Sequence, residues 1–290
     1  MNKVILSDIF LFIVTIGWGY TYLMTKGIIK EMSPFTLLWT RFAISSLLFY
    51  ILFFRKIEIK SKKFIFQSIV CGIILWCAFV MQVYGIQFST PGKAGLITGL
   101  FVIFVPVLYY LLERKKLSKA TISGSLLSFG GLFLFSLEEN IFIITLGKGD
   151  FILIFSAFFY ALHIIYIDKT YIQFENLNVF SFILIQMITV FVLSLPPALI
   201  FEKFPEHISS SVVWGGIYNI LIGTILAYSA QIVVQKYSPP THISLIMVFE
   251  SVFAFFFSWL FYGEVITWKT ITGASLMIFG IIITAVYDRK

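Results

Sequence analysis

The stretch Ser238–Thr284 reads SPPTHISLIMVFESVFAFFFSWLFYGEVITWKTITGASLMIFGIIIT, and the rest of the chain is organised around it. A Ser-Pro-Pro break opens an apolar span of about twenty residues, the length that crosses a bilayer, interrupted by one carboxylate, Glu250. A Gly263-Glu264 turn follows, then a second apolar span carrying Gly273 and Gly280. The same unit occurs 149 positions earlier: Ser89, Pro91, Leu96, Ile97, Gly124 and Gly131 recur as Ser238, Pro240, Leu245, Ile246, Gly273 and Gly280. The unit is present twice.

Composition places both copies in a membrane. Of 290 residues, 59% are hydrophobic and 12% charged, where soluble domains carry about 25% charged residues. Mean hydropathy is +0.98. Ten apolar spans are expected, at about 5–28, 35–54, 64–87, 93–112, 119–137, 150–168, 177–200, 212–234, 241–262 and 268–287. Lipid requires every backbone polar group to be satisfied internally, and the ten-residue alternation of a barrel is missing, so the spans read as helices. The fold expected is an all-α membrane protein of ten transmembrane helices. The N-terminal run is too long for a signal peptide, and bulky Trp18 and Tyr20 stand where a cleavage site needs small residues. It reads as a retained first span.

Lys and Arg in the connections set the expected orientation. With the N-terminus inside, the clusters around Arg55–Lys63 and Arg114–Lys119 fall on the inner side, which collects fourteen basic residues against six outside. Both termini are therefore expected in the cytoplasm and the chain in the inner membrane. The net charge of +7 follows from this topology; no nucleic-acid motif is present and no nucleic-acid partner is expected.

The halves meet at 138–149, EENIFIITLGKG, giving a first repeat over 1–137 and a second over 150–290. Five spans per repeat is an odd number, so the second repeat must enter the membrane upside down relative to the first. Two inverted five-helix repeats place a substrate site near mid-membrane between the halves. Early positions match more loosely, Asp8 with Asp150 and Trp18 with Tyr160 at an offset of 142.

HExxH, GxSxG and GxxxxGK[ST] motifs are absent, which removes support for a zinc protease, a serine hydrolase of that type or an ATP-driven pump. His163, His207 and His242 lack metal-ligand spacing. Cys71 and Cys77, six apart, fall on different helix faces and read as packing residues. No enzyme, cofactor or metal is expected.

Polar groups inside spans are costly in lipid and are candidates for function. Glu250, near mid-depth of the ninth span, is the candidate for protonation and coupling; the competing reading is a carboxylate tied to a neighbouring helix. Arg41 in the second span reads as an ion pair, with Glu250 among the partners, as an interfacial anchor, or as a substrate contact. Gln82 and Gln231 are repeat mates, as are Phe79 and Tyr228 three residues earlier, and i, i+3 spacing sets each aromatic and amide on one helix face. Trp18 with Tyr22, and Tyr160 with His163, are similarly spaced; His163 is a proton-relay candidate. Gly95 and Gly99 permit close helix approach, with Thr98 free to present a hydroxyl beside them. Trp18, Tyr22, Gln82, Thr98, Tyr160, His163, Tyr228, Gln231 and Glu250 form the candidate substrate site. Small residues in the fifth and tenth spans favour packing between them and admit a homodimer surface.

The residues so assembled resemble the EamA-like group of the drug/metabolite transporter superfamily. The carrying segments are Trp18-Gly19 ahead of Lys26, Pro34 to Arg41-Phe42, TPGKAGLITGLFVIFVPVL from Thr90 to Leu108, and FESVFAFFFSWLFYGEVIT from Phe249 to Thr267 followed by Gly273. The resemblance implies a secondary carrier, usually an exporter of small metabolites or amino acids, working by alternating access. It implies a cavity lined by the first, third, fourth, sixth, eighth and ninth helices. Ser251 stands where the family often has Pro, and Glu113 and Glu264 are not true mates. A passive metabolite channel and a non-catalytic membrane scaffold are the alternative classes.

Overall fold

A computed structural model describes residues 3–58, 61–114, 116–136 and 147–287. The expected linker over 138–149 falls outside the described residues up to position 146. The regular elements are α1 Lys3–Ile28, α2 Pro34–Phe53, α3 Lys62–Gln87, α4 Pro91–Thr98, α5 Phe101–Glu113, α6 Lys119–Ser136, α7 Lys148–Gln173, α8 Val179–Phe201, α9 Ser210–Ile220, α10 Ala227–Gln235, α11 Pro240–Met247, α12 Phe249–Tyr262 and α13 Trp268–Tyr287. A 3₁₀ turn covers Phe54–Lys56 and a π-helical stretch covers Leu221–Leu226. Among the described residues there is no strand.

Among the described residues, eight helical runs are long and apolar enough to cross a membrane, including Pro91–Glu113, Ser210–Gln235 and Pro240–Tyr262, each made of consecutive elements. α6 and α13 stand where the fifth and tenth spans are expected. Polarity is inverted relative to a soluble domain: Ile200, Phe201 and Trp214 are 70–79% exposed, while Ser45, Gln186, Gln231 and His163 are buried. Such a surface suits lipid, not water. Cys71 and Cys77 are both free thiols.

The fourth and ninth spans are not the continuous helices that hydropathy suggests. Pro91 and Pro240, mates at offset 149, occupy the first turns of α4 and α11, where a missing N–H costs nothing. Both runs then break at mate positions, Gly99 and Val248. Each break is a tightening: Leu100 N–H reaches Ile97 O at 3.1 Å and Ser251 N–H reaches Val248 O at 3.0 Å, the i−3 pattern of a 3₁₀ turn. Gly263 ends α12 in the left-handed region at φ 84°, a conformation open to glycine at no steric cost.

Packing repeats when mates are exchanged. α6 lies on α13, and α2 on α8; α1 packs against α12 and α9, just as α7 packs against α5 and α3. Around α6 and α13 the exchange reaches individual residues. A Cβ added at Gly124 would lie 2.6 Å from Gly280 O, and one at Gly131 would collide with Gly273 O. Glycine at these four mate positions lets the two backbones touch.

Carboxylates from one half cap helices of the other. Glu202 accepts from Phe35 N at 2.9 Å, Thr36 N at 2.7 Å and Thr36 Oγ1 at 2.8 Å, closing the N-terminus of α2. Glu202→Ala removes these acceptors and is expected to cost about 1–2 kcal/mol, the worth of a helix cap; thermal unfolding in detergent measures it, and an unchanged midpoint would deny the cap. Glu31 accepts from Ser209 N at 2.9 Å and Ser209 Oγ at 2.7 Å at the start of α9. Those bonds hold its carboxyl below the usual range, so the tie is complete at neutral pH and is lost as pH falls through that lowered value.

Candidate functional site

Helix periodicity turns pairs of side chains from both halves toward one shared cavity. α1 supplies Trp18, Thr21 and Tyr22; α2 supplies Arg41; α3 supplies Phe79 and Gln82; α5 supplies Phe101. From the second half come Tyr160 on α7, Tyr228 and Gln231 on α10, Met247 on α11 and Glu250 on α12. Each pair at i, i+3 or i, i+4 shares a helix face, and that spacing brings Trp18/Tyr22, Phe79/Gln82 and Tyr228/Gln231 into the cavity together. The room left for the centre of a water molecule is about 20 Å³, enough for one or two waters.

A directed chain of hydrogen bonds crosses it. Tyr160 Oη donates to Gln82 Oε1 at 3.1 Å, Gln82 Nε2 donates to Tyr22 Oη at 2.9 Å, and Tyr22 Oη donates to Glu250 Oε1 at 3.2 Å. Every donor points toward the carboxylate. Opposite, the ring of Phe79 sits 5.9 Å from Tyr160 and 5.5 Å from Tyr228, and Tyr228 sits 5.5 Å from Trp18. These edge-on and tilted contacts form an aromatic wall. Trp18 Nε1 donates to Gly223 O at 3.2 Å, fixing α1 against the π-helical stretch.

Of the readings open for Arg41, the ion pair with Glu250 is not formed. Arg41 Nε donates to Thr224 Oγ1 at 2.7 Å, and its guanidinium lies 5.0 Å from the Phe79 ring centroid, while Glu250 is taken by Tyr22. Two further candidates lie outside the lining. Thr98 is fully buried and donates to Ala94 O at 2.8 Å, the back-bond open to a helical Thr. His163 stands behind the wall, its ring 6.2 Å from Tyr228 and its Nε2 2.7 Å from Gln186 Oε1. Gln231, although the mate of Gln82, bonds Gln235 instead, and Gln235 donates to Ile164 O.

Sequence reading missed Thr21, Phe101 and Met247 as lining residues. Thr21 follows Trp18 at i+3 and was within reach of the same periodicity argument. Phe101 and Met247 flank the two helix breaks, which carry no hydropathy signal. Among the described residues, no group of three or more His, Cys, Asp or Glu is placed to hold a metal.

Polar groups turned inward around a cavity, within a bundle of helices suited to lipid, are an arrangement that membrane transport proteins use. The chain belongs to the EamA-like transporter family, whose profile matches twice, over residues 5–137 and 147–286. It is 28% identical over 283 residues to an uncharacterized transporter of Archaeoglobus fulgidus, covering 98% of this chain and 87% of that one. It is 26% identical over 283 residues to the uncharacterized transporter YoaV of Bacillus subtilis, covering 96% of each. One solved crystal structure superposes with a TM-score of 0.77 at 13% identity, covering 98% of this chain and 97% of that one; that likeness concerns the fold alone.

Proposed function

We propose that this protein is a secondary transporter that exports small metabolites or amino acids across the inner membrane by alternating access between two inverted five-helix repeats. Under this reading Trp18, Tyr22, Gln82, Tyr160, Tyr228, Gln231, Glu250 and Arg41 contact substrate. Thr98 and His163 support that shell from behind, and Glu250 takes up the coupling proton. The basic connections put both termini in the cytoplasm.

The observation that carries the proposal is a pair of contacts at mate positions, one a lysine–aspartate ion pair and the other a histidine–aspartate approach. Lys93 Nζ lies 2.9 Å from Asp150 Oδ2, joining α4 to α7. His242 Nε2 lies 3.2 Å from Asp8 Oδ2, joining α11 to α1, though off the line of a good hydrogen bond. Lys93 and His242 are mates at offset 149, and Asp8 and Asp150 at offset 142. The two contacts belong to opposite ends of the bundle. Asp8 lies near the start of α1, and Lys26, near its other end, is bonded to Ile86 O and Gln87 O just before α4 begins. Helix rise separates those two α1 positions by about 27 Å. Under this reading, contacts at both ends of the bundle and a cavity narrowed to about 20 Å³ are the arrangement of an occluded state. A carrier passes through such a state; an open channel does not.

The test is counterflow in proteoliposomes. A thermal-shift screen of amino acids, nucleobases, vitamins and polyamines first finds a ligand, since one at about 100 times its dissociation constant adds roughly 2.7 kcal/mol of stability. Loading the vesicle interior with that ligand should then accelerate labelled uptake, and the rate should saturate. Flux that neither saturates nor responds to internal ligand would replace the carrier with a channel.

A further inference from the structure

Arg41 carries a permanent charge into the membrane interior, where it is 5% exposed. Thr224 fixes its orientation. The Thr224 hydroxyl spends its one proton on Asn219 O at 2.8 Å, a bond across five residues that belongs to the π-helical stretch, and so can only accept from Arg41 Nε. Phe79 at 5.0 Å and Phe42 at 5.7 Å flank the guanidinium. The two terminal amino groups make no hydrogen bond to a described residue, and Arg41 lines the cavity. Among the described residues no carboxylate comes within ion-pair distance of it. A buried cation without a counter-charge is costly enough that proteins supply one.

We infer that the free guanidinium edge is the seat of a carboxylate carried by the transported molecule. The inference rests on the reading of this cavity as the transport site and adds the chemistry of the substrate's charged group. With Nε occupied, the two terminal amino groups offer the planar, two-point geometry that suits a carboxylate. A phosphate dianion is disfavoured: the cavity lining contains one cation, and Glu250 shares the space. Trp18, Phe79 and Tyr228 would enclose the apolar body of the same molecule.

The test uses three probes with one ring and different heads: benzoate, benzamide and benzylamine, applied to the full-length detergent-purified protein. Benzoate should raise the unfolding midpoint, with benzamide and benzylamine at least tenfold weaker. Arg41→Gln should weaken benzoate by about 10–100-fold, the worth of charge-assisted hydrogen bonds. Arg41→Lys should restore part of that loss. Thr224→Val leaves Arg41 in place but frees its orientation, and should weaken benzoate selectively even where Arg41 variants fail to fold. Protection by benzamide or benzylamine equal to that by benzoate, protection by benzoate that survives Arg41→Gln, or no protection by any probe would overturn the inference. Proteoliposome counterflow separates the two claims. Benzoate binding through Arg41 without counterflow contradicts transport and leaves the subsite. Counterflow of benzylamine but not benzoate keeps transport and removes the subsite.

Discussion

Glu250→Gln is expected to leave the protein folded and to abolish the pH dependence of its transport. The amide keeps the size of the carboxylate and an oxygen that can still accept from Tyr22 Oη, now 3.2 Å from Glu250 Oε1. Gln82 can still donate to Tyr22, so the chain from Tyr160 survives. The stability change should therefore be about 1 kcal/mol, the difference between a charge-assisted and a neutral hydrogen bond. What is lost is the response to a proton. Protonation removes the negative charge of Glu250 from the cavity and gives the carboxyl a donor it lacked, while one of its oxygens can still accept from Tyr22. A permanent amide is neutral at every pH and cannot make that change of charge. The measurement is flux into proteoliposomes across a series of imposed pH gradients, with the unfolding midpoint as a control. Undiminished pH-dependent flux in the variant would remove Glu250 from coupling.

Gly131→Val and Gly280→Val are expected to produce the largest stability losses, and similar ones. At Gly280 a Cβ would lie 2.5 Å from Gly124 O and 3.2 Å from Ser128 N. At Gly131 it would lie 3.0 Å from Met277 N and closer still to Gly273 O. In both cases the obstacle is backbone, which has no rotamer to yield, so α6 and α13 must separate. Overpacking of this kind costs about 1–3 kcal/mol or somewhat more. Thermal unfolding of the two variants tests the packing and its symmetry at once. A destabilised Gly131→Val beside an unaffected Gly280→Val would show that the two contacts are not equivalent.

Much of this was legible in the sequence, for a physical reason in each case. Apolar runs mark spans because lipid leaves the backbone no other partner, and the 149-residue repeat identifies the glycines that bring α6 and α13 together. Helical spacing carried Trp18 with Tyr22 and Phe79 with Gln82 into one cavity, because a face is a property of periodicity alone. Which partner a side chain then chooses is not. Thr98 and His163 are as polar as their neighbours, yet Thr98 turns back on its own helix and His163 finds Gln186. Arg41 settles on Thr224 because the Leu221–Leu226 stretch adopts a π register that hydropathy does not register. Its mate stretch from Gly72 to Cys77 lies within continuous α3, so the repeat itself concealed the difference. Asp8 and Asp150 stand out in the sequence only as repeat mates; the contacts they make with His242 and Lys93 needed the tertiary fold.

The central claim, that the cavity opens to one side at a time, is tested most directly by labelling it from each face. Thr21→Cys, in a protein whose Cys71 and Cys77 are replaced by Ala, places one thiol in the cavity lining. A membrane-impermeant maleimide is then applied to vesicles of both orientations, in otherwise unaltered protein and with Asp150→Asn or Asp8→Asn added. Breaking the Lys93–Asp150 latch should expose the thiol to one face, and breaking the His242–Asp8 latch should expose it to the other. Labelling of a single variant from both faces at equal rates, or labelling that ignores which latch is broken, would contradict alternating access.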